Sequence, residues 1–265
     1  MRKLVGVIWV NLLLFLLVGC DSKPKGPSYQ AVEGSGDPVS VRWDFSQAVK
    51  HDYRFDQLTD FHLGSIAGAT REKNKIKGDC LVSSEGDSLA DLKIANLKID
   101  KSESTEVGMK HGAAQTEEVI LAGMHEDGAF STQKELEHLA LATVFKLPDA
   151  PIAEGATEVT DLELPMNWNN GPGKLRGKQA TSFVGYYEIY GVNCIHLESK
   201  YEYYEFVSDS GDVSSSKLMN VKGTSSIYFD QESNRIHRSV SECNIKFDMG
   251  LASADQTVKI TLHKI

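Results

Sequence analysis

Cysteine is scarce in this chain: four among 265 residues, at positions 20, 80, 194 and 243, with no CxxC pair. That spacing excludes a ribbon-type zinc site and a dithiol redox centre. The eight histidines include no HxH or HExxH pattern, so neither a metal nor a cofactor is expected. Basic residues are in deficit, 28 against 37 acidic, and the footprint of a nucleic-acid binder is missing. A phosphate cradle is missing too, because Gly171-Pro172-Gly173-Lys174 lacks P-loop spacing and reads as a loop. No apolar run reaches the roughly 20 residues of a spanning helix, since Leu4 to Leu17 offers only about fourteen.

That short run has a clear setting. Arg2 and Lys3 precede it, and Leu17-Val18-Gly19-Cys20 closes it with small residues instead of a stop-transfer charge cluster. The stretch resembles the signal segment and lipobox of bacterial lipoproteins. The resemblance covers only the N-terminus. It implies cleavage after Gly19, a diacylglycerol on the Cys20 thiol, palmitate-type acylation and attachment to a membrane of the cell envelope. Asp21 resembles the enteric retention signal, which implies the periplasmic face of the inner membrane in a Gram-negative host.

Without Arg2 and Lys3 the remaining 26 basic and 37 acidic residues leave a net charge of −11. Such a surface favours solubility and opposes adsorption to anionic head groups, so attachment rests on the lipid. A mature chain of about 245 residues can bury a sizeable core, in one large β domain or two sub-domains. The envelope permits a disulfide, and Cys194 with Cys243 is the preferred pair because both sit in strand-like segments of one half. Cys80 would then be the odd thiol.

Residues 20–37 are rich in Ser, Lys, Pro and Gly and read as a flexible tether, with the β-rich domain spanning 38–265. Val39, Val41, Trp43 and Phe45 alternate with polar residues, as do His51, Tyr53 and Phe55, which predicts a hairpin with one buried face. Further strands are predicted at 76–82, 89–99 and 119–124. A helix is predicted over 132–146: Thr132 with Glu135 fits a capping box, Leu136, Leu139, Ala140, Thr143 and Val144 form a stripe, and Pro148 stops it. Long alternating segments then follow at 160–164, 180–190, 194–207, 216–229, 236–249 and 257–265, separated by turn residues. Strands longer than the usual five or six residues favour a long-stranded antiparallel curved sheet or open barrel with one covering helix. The segments 38–148 and 149–265 are similar in length and could be a degenerate duplication.

Candidate chemistry is thin. Gly86-Asp87-Ser88-Leu89 resembles the GDSL esterase motif, which implies Ser88 as nucleophile and Gly191-Val192-Asn193 as an oxyanion-hole element. The family's C-terminal Asp-x-x-His is absent, so Ser88 lacks an activating base, and turns are the preferred reading. His125-Glu126-Asp127 leads into a Gly turn and reads as solvated, while His196 shares a strand face with Cys194 and Glu198. Aromatics concentrate at Tyr186, Tyr187, Tyr190, Tyr201, Tyr203, Tyr204 and Phe206. Cross-strand packing explains such a group best; as ligand contacts the candidates are Tyr187, Tyr201, Tyr203 and the loop residue Trp168.

Lipobox, tether and long strands together resemble, in architecture, half-barrel envelope lipoproteins that carry lipids or lipoproteins between a curved sheet and covering helices. The single helix departs from that pattern. The resemblance implies a non-enzymatic, membrane-tethered protein that binds a hydrophobic ligand or a protein partner on a curved sheet. The alternative is an assembly-factor lipoprotein without a ligand cavity.

Overall fold

The computed structural model describes residues 29–34, 36–65, 68–104, 118–132, 138–168, 171–209, 213–215, 219–248 and 252–265. Its strands are β1 (Tyr29–Val32), β2 (Ala48–Ser65), β3 (Gly68–Glu85), β4 (Ala90–Ser104), β5 (Val119–Met124), β6 (Thr157–Trp168), β7 (Gly171–Ile189), β8 (Val192–Ser208), β9 (Val213–Ser215), β10 (Met219–Asp230), β11 (Arg235–Asp248) and β12 (Ala252–Lys264). A short helix, α1 (Leu139–Thr143), follows β5. All strands join one sheet in the order β1-β7-β8-β10-β11-β12-β2-β3-β4-β5, with β6 also on β7 and β9 on β8. The predicted architecture holds: the sheet curls into an antiparallel half-barrel.

Alternation explains the curl. β7 is 19 residues long and β2 and β3 are 18 each, so the sheet spans about 60 Å along its strands. From Gly173 to Phe183 of β7 and from Leu197 to Tyr203 of β8 every second residue is buried, and this buried set merges with that of neighbouring strands into one core. The two blocks, β2 to β5 and β6 to β12, meet through the β12–β2 pairing and share that core. β6 is an edge strand and carries Pro165, whose missing N–H costs nothing on an edge.

Four expectations need correction. The 38–45 segment buries Val41, Trp43 and Phe45 at 0–1% exposure, yet it is not a sheet strand. It runs extended beside the 124–152 connection: Val39 pairs with Ile152, and the Trp43 amide donates to the Glu126 carbonyl at 2.8 Å. Alternation reports that one side is buried, not that a neighbouring strand is present. Tyr29–Val32, read as tether, pairs antiparallel with Ile189–Tyr186 of β7. The described helix has five residues and begins at His138 without a side-chain cap. Glu135 and Leu136, and with them the predicted capping box, lie outside the described residues; the Thr132 hydroxyl donates to the Ala122 carbonyl at 2.7 Å.

The fourth correction concerns Cys194 and Cys243, which are free buried thiols, as is Cys80. Cys194 lies opposite Asp230, whereas Cys243 lies opposite Gly223, seven residues away along β10. Seven residues amount to about 23 Å, far beyond the Cα separation a disulfide allows. Their side chains also face opposite sides of the sheet, Cys243 toward the main core and Cys194 toward a small outer cluster.

Candidate functional site

The concave face of the sheet divides into a closed half and an open half. In the closed half Trp43, Phe45, Leu139, Val144, Phe145 and Leu147 press onto the sheet, with Trp43 5.8 Å from Phe45 and 6.3 Å from Phe145 between ring centroids. Thr181, Ser199, Ser225 and Ser241 form a row of small inward residues across β7, β8, β10 and β11. Small side chains leave room for the helical segment. Thr143 bonds Tyr201 (Oγ1 to Oη, 3.2 Å), and Gln179 Nε2 donates to the Lys146 carbonyl at 3.5 Å.

Tyr201 and Tyr203 belong to this packing. Their rings are 4% and 5% exposed, and burial drives both phenols well above the ordinary tyrosine range. The Tyr201 ring fills the space over Gly223, where an added Cβ would stand 2.2 Å from its Oη. Phe206 covers Gly173 in the same way, at 2.6 Å. Glycines capped by aromatic rings are a known means of bending a sheet, so these aromatics hold the curvature of the cradle.

Tyr187 is on the other side of the sheet. It joins Tyr228, His196 and Tyr29 in an outer cluster: His196 stacks on Tyr228 at 4.3 Å and 7°, Tyr187 meets His196 edge-on at 5.3 Å, and Tyr29 lies 5.2 Å from Tyr228. Arg238 sits 5.6 Å over the Tyr29 ring. These contacts fasten β1 to the sheet, and they bury His196, whose ring is held below the ordinary histidine range first by desolvation. Trp168 ends β6 opposite Gly171. The structure therefore brings Tyr201 and Tyr203 together and separates both from Tyr187.

The open half lies on β2, β3 and β4, with Phe247 of β11 at its margin, while the inward residues of β7, β8 and β10 at the same end stay buried. Phe61 is in register with Gln256, Ile245, Val221 and Tyr203, so it points to the concave face, as does Leu63 opposite Ala254 and Phe247. Ile76 faces inward opposite Gln57, and Ile99 opposite Ile76, with Leu97 two residues away on the same side. Phe61, Leu63, Ile76, Leu97 and Phe247 are half-buried, and Ile99 is 37% exposed. Beside them runs a polar strip: Gln57 Nε2 donates to Thr59 Oγ1 at 3.1 Å, and Asn74 Nδ2 to Glu72 Oε1 at 2.6 Å. None of these residues stands out in the sequence, because polar and apolar side chains share one face.

Other candidates are placed as follows. Gly86 and Ser88 form the exposed β3–β4 turn, and Gly191 the β7–β8 turn, with β2, β12, β11 and β10 between them in the sheet. His125–Ala129 is a closed turn in which Asp127 accepts from Lys146 at 2.5 Å, so this aspartate is ion-paired and not simply solvated. No group of three metal-ligating side chains occurs among the described residues. On the outer face a depression of about 580 Å³ crosses β7 to β12 and is lined by Ser182, Glu198, Lys200, Thr224 and Lys259, a mixed and charged surface.

Fold and face together define a class: a half-barrel whose concave side is filled over β6, β7, β8 and β10 and half-exposed over parts of β2, β3 and β4. Comparison with solved structures returns alignments at low identity. Lipovitellin, solved for its lipid–protein interactions, aligns over 84% of this chain and 25% of its own, with 12% identity and a TM-score of 0.49. This chain thus spans about a quarter of that protein. A DUF1329 family protein from Desulfovibrio piger aligns over 82% of this chain and 86% of its own, at 7% identity and a TM-score of 0.20. For a putative outer membrane lipoprotein-sorting protein domain from Vibrio parahaemolyticus the figures are 81%, 85%, 8% and 0.15. No family model and no curated protein matches the chain.

Proposed function

We propose that this chain is a non-enzymatic, lipid-anchored bacterial envelope protein that holds a hydrophobic ligand with a polar end in the open half of its concave face. The observation that carries the reading is the group of half-exposed inward residues Phe61, Leu63, Ile76, Leu97, Ile99 and Phe247 beside the Gln57–Thr59 and Asn74–Glu72 strip. Apolar walls with a few placed polar groups are the ordinary composition of a small-molecule site. An acyl chain would lie on the aromatic and aliphatic side, with its polar end at the amide and carboxylate groups.

Native mass spectrometry tests this on the chain from Asp21 onward, purified gently from its own host and compared with a denatured sample. A co-purifying mass of lipid size that is lost on denaturation is the expected result. A bare mass would sink the ligand reading and favour the second one, an assembly factor that covers the same apolar strip with a segment of another envelope protein.

A further inference from the structure

Facing along β2 and β3 sorts the charges of the open half. The two strands pair from Ala48 with Glu85 to Ser65 with Gly68 and no register shift interrupts them, so alternation is strict. Lys50, Arg54, Arg71, Lys73, Lys75 and Lys77 all fall in the outward phase, where Asp60 meets Arg71 at 2.6 Å and Lys73 at 3.4 Å. In the inward phase the open half of these two strands has one ionisable side chain, the half-buried Glu72. The inward cation of β12, Lys264, stands opposite Tyr53 and donates to the Asp52 carbonyl at 3.1 Å. Tyr53 is eight residues from Phe61, about 26 Å along β2.

Glu72 has the surroundings of an ammonium site. Its cross-strand partner is Phe61, so their Cβ atoms stand about 5 Å apart. Gln57 and Asn74 each donate an amide N–H, to Thr59 and to Glu72 Oε1, and their carbonyl oxygens join Glu72 Oε2 as acceptors on the same face. A carboxylate balances a cation, carbonyl oxygens accept its N–H groups and a ring face attracts it. A carboxylate or phosphate end would meet Glu72 with like charge, and no inward lysine or arginine of β2 or β3 would offset it. We infer that the open half takes an amphiphile whose polar end is a protonated amine, held between Glu72 and the Phe61 ring, with its chain over Ile76, Leu97 and Ile99. This deepens the proposed function and depends on it.

The test is isothermal titration calorimetry on the chain from Asp21 onward, which keeps every described residue of both buried clusters. Decylamine, decanol and decanoate share one alkyl chain and differ only at the polar end; near neutral pH the amine is protonated, as lysine is. The amine should bind about tenfold more tightly than the alcohol, the scale of a hydrogen bond to a charged group, and decanoate more weakly than both. Glu72→Gln keeps the shape and an acceptor for Asn74, so it should level amine and alcohol and tighten decanoate several-fold. Asp161→Asn removes an exposed carboxylate of β6 and should leave the order unchanged. Decanoate binding as tightly as decylamine, or an amine preference that survives Glu72→Gln, would overturn the inference and leave the open-half reading standing. Failure of all three to bind would sink that reading, and the inference with it.

Discussion

Gly223→Ala is a direct test of how the half-barrel is bent. Gly223 faces the concave side between Tyr201 on β8 and Cys243 on β11. A methyl group there would meet Tyr201 Cζ and Oη at 2.2 Å and the Glu242 carbonyl at 2.5 Å. Moving the ring would relieve the first contact, at the expense of the Thr143 bond, worth about 1 kcal/mol, and of aromatic burial. The second contact is with backbone, so the ladder must also shift. Overpacking of this kind costs about 1–3 kcal/mol, and with the lost bond the total becomes about 2–4 kcal/mol. For a domain of this size that is a fall in Tm of roughly 5–15 °C. Urea unfolding of the wild type, Gly223→Ala, Tyr201→Ala and the double variant separates the two contacts. The alanine should cost less once the ring is gone but should not become neutral, because Glu242 remains. A Gly223→Ala protein within about 0.5 kcal/mol of wild type would refute the account of curvature.

Acidity should destabilise the closed end. His51 is 8% exposed and its ring is lowered to about 4, chiefly by burial and then by Arg235 and Lys264. A depressed pKa means that the stability is present above the unfolded value near 6.5 and is lost as pH falls toward 4. The loss is at most about 3 kcal/mol. Denaturant titrations at pH 7 and 4.5 should differ less in a His51→Gln variant. The thiols give a second check: burial lifts Cys194 to about 12 and Cys243 to about 11, so no thiol should react with Ellman's reagent before unfolding, and reductant should leave Tm unchanged. Detection of a 194–243 disulfide would contradict the fold. Removal of the Asp127–Lys146 ion pair by Asp127→Ala should cost about 1–3 kcal/mol, measured by thermal melting, because Lys146 is left largely buried without that partner.

Strand alternation was legible over much of the sheet. Val119–Met124 appears at its predicted limits, and the segments at 194–207 and 236–249 shift by no more than two residues at either end, but β7 begins nine residues before the predicted 180 and includes Gly171–Lys174, read as a loop. The same signal misled at 39–45, because period two records a buried side and says nothing about hydrogen-bond partners. Tyr29–Val32 was missed for the opposite reason: four residues cannot show a period, and the strand owes its place to Arg238, Tyr228 and the free upper edge of β7. Tyr201 and Tyr203 are 4% and 5% exposed in the packed core. Their separation from Tyr187 was not legible, because the irregularity between Phe183 and Gly185 reverses the facing of the residues beyond it. The open half had no signature, since its residues are ordinary one by one and become a site only through register across β2, β3, β4, β11 and β12.

Among the described residues, the cover lies over one part of the concave face. The extended 38–45 segment and the connection after β5 add cover at the closed end, where Trp43 and Phe145 are at most 1% exposed. Two substitutions should therefore separate stability from binding. Trp43→Ala removes a fully buried ring and should cost about 3–5 kcal/mol, with fatty-acid affinity unchanged in whatever fraction remains folded. Phe61→Asp puts a charge on a half-exposed inward position, so it should cost less than about 1.5 kcal/mol but weaken binding of a fluorescent fatty acid tenfold or more. Displacement titrations and denaturant melts on both variants read the two effects independently. If Trp43→Ala were the one to abolish binding while Phe61→Asp left it intact, the ligand would sit under the plug, and the division of the concave face would have to be reversed.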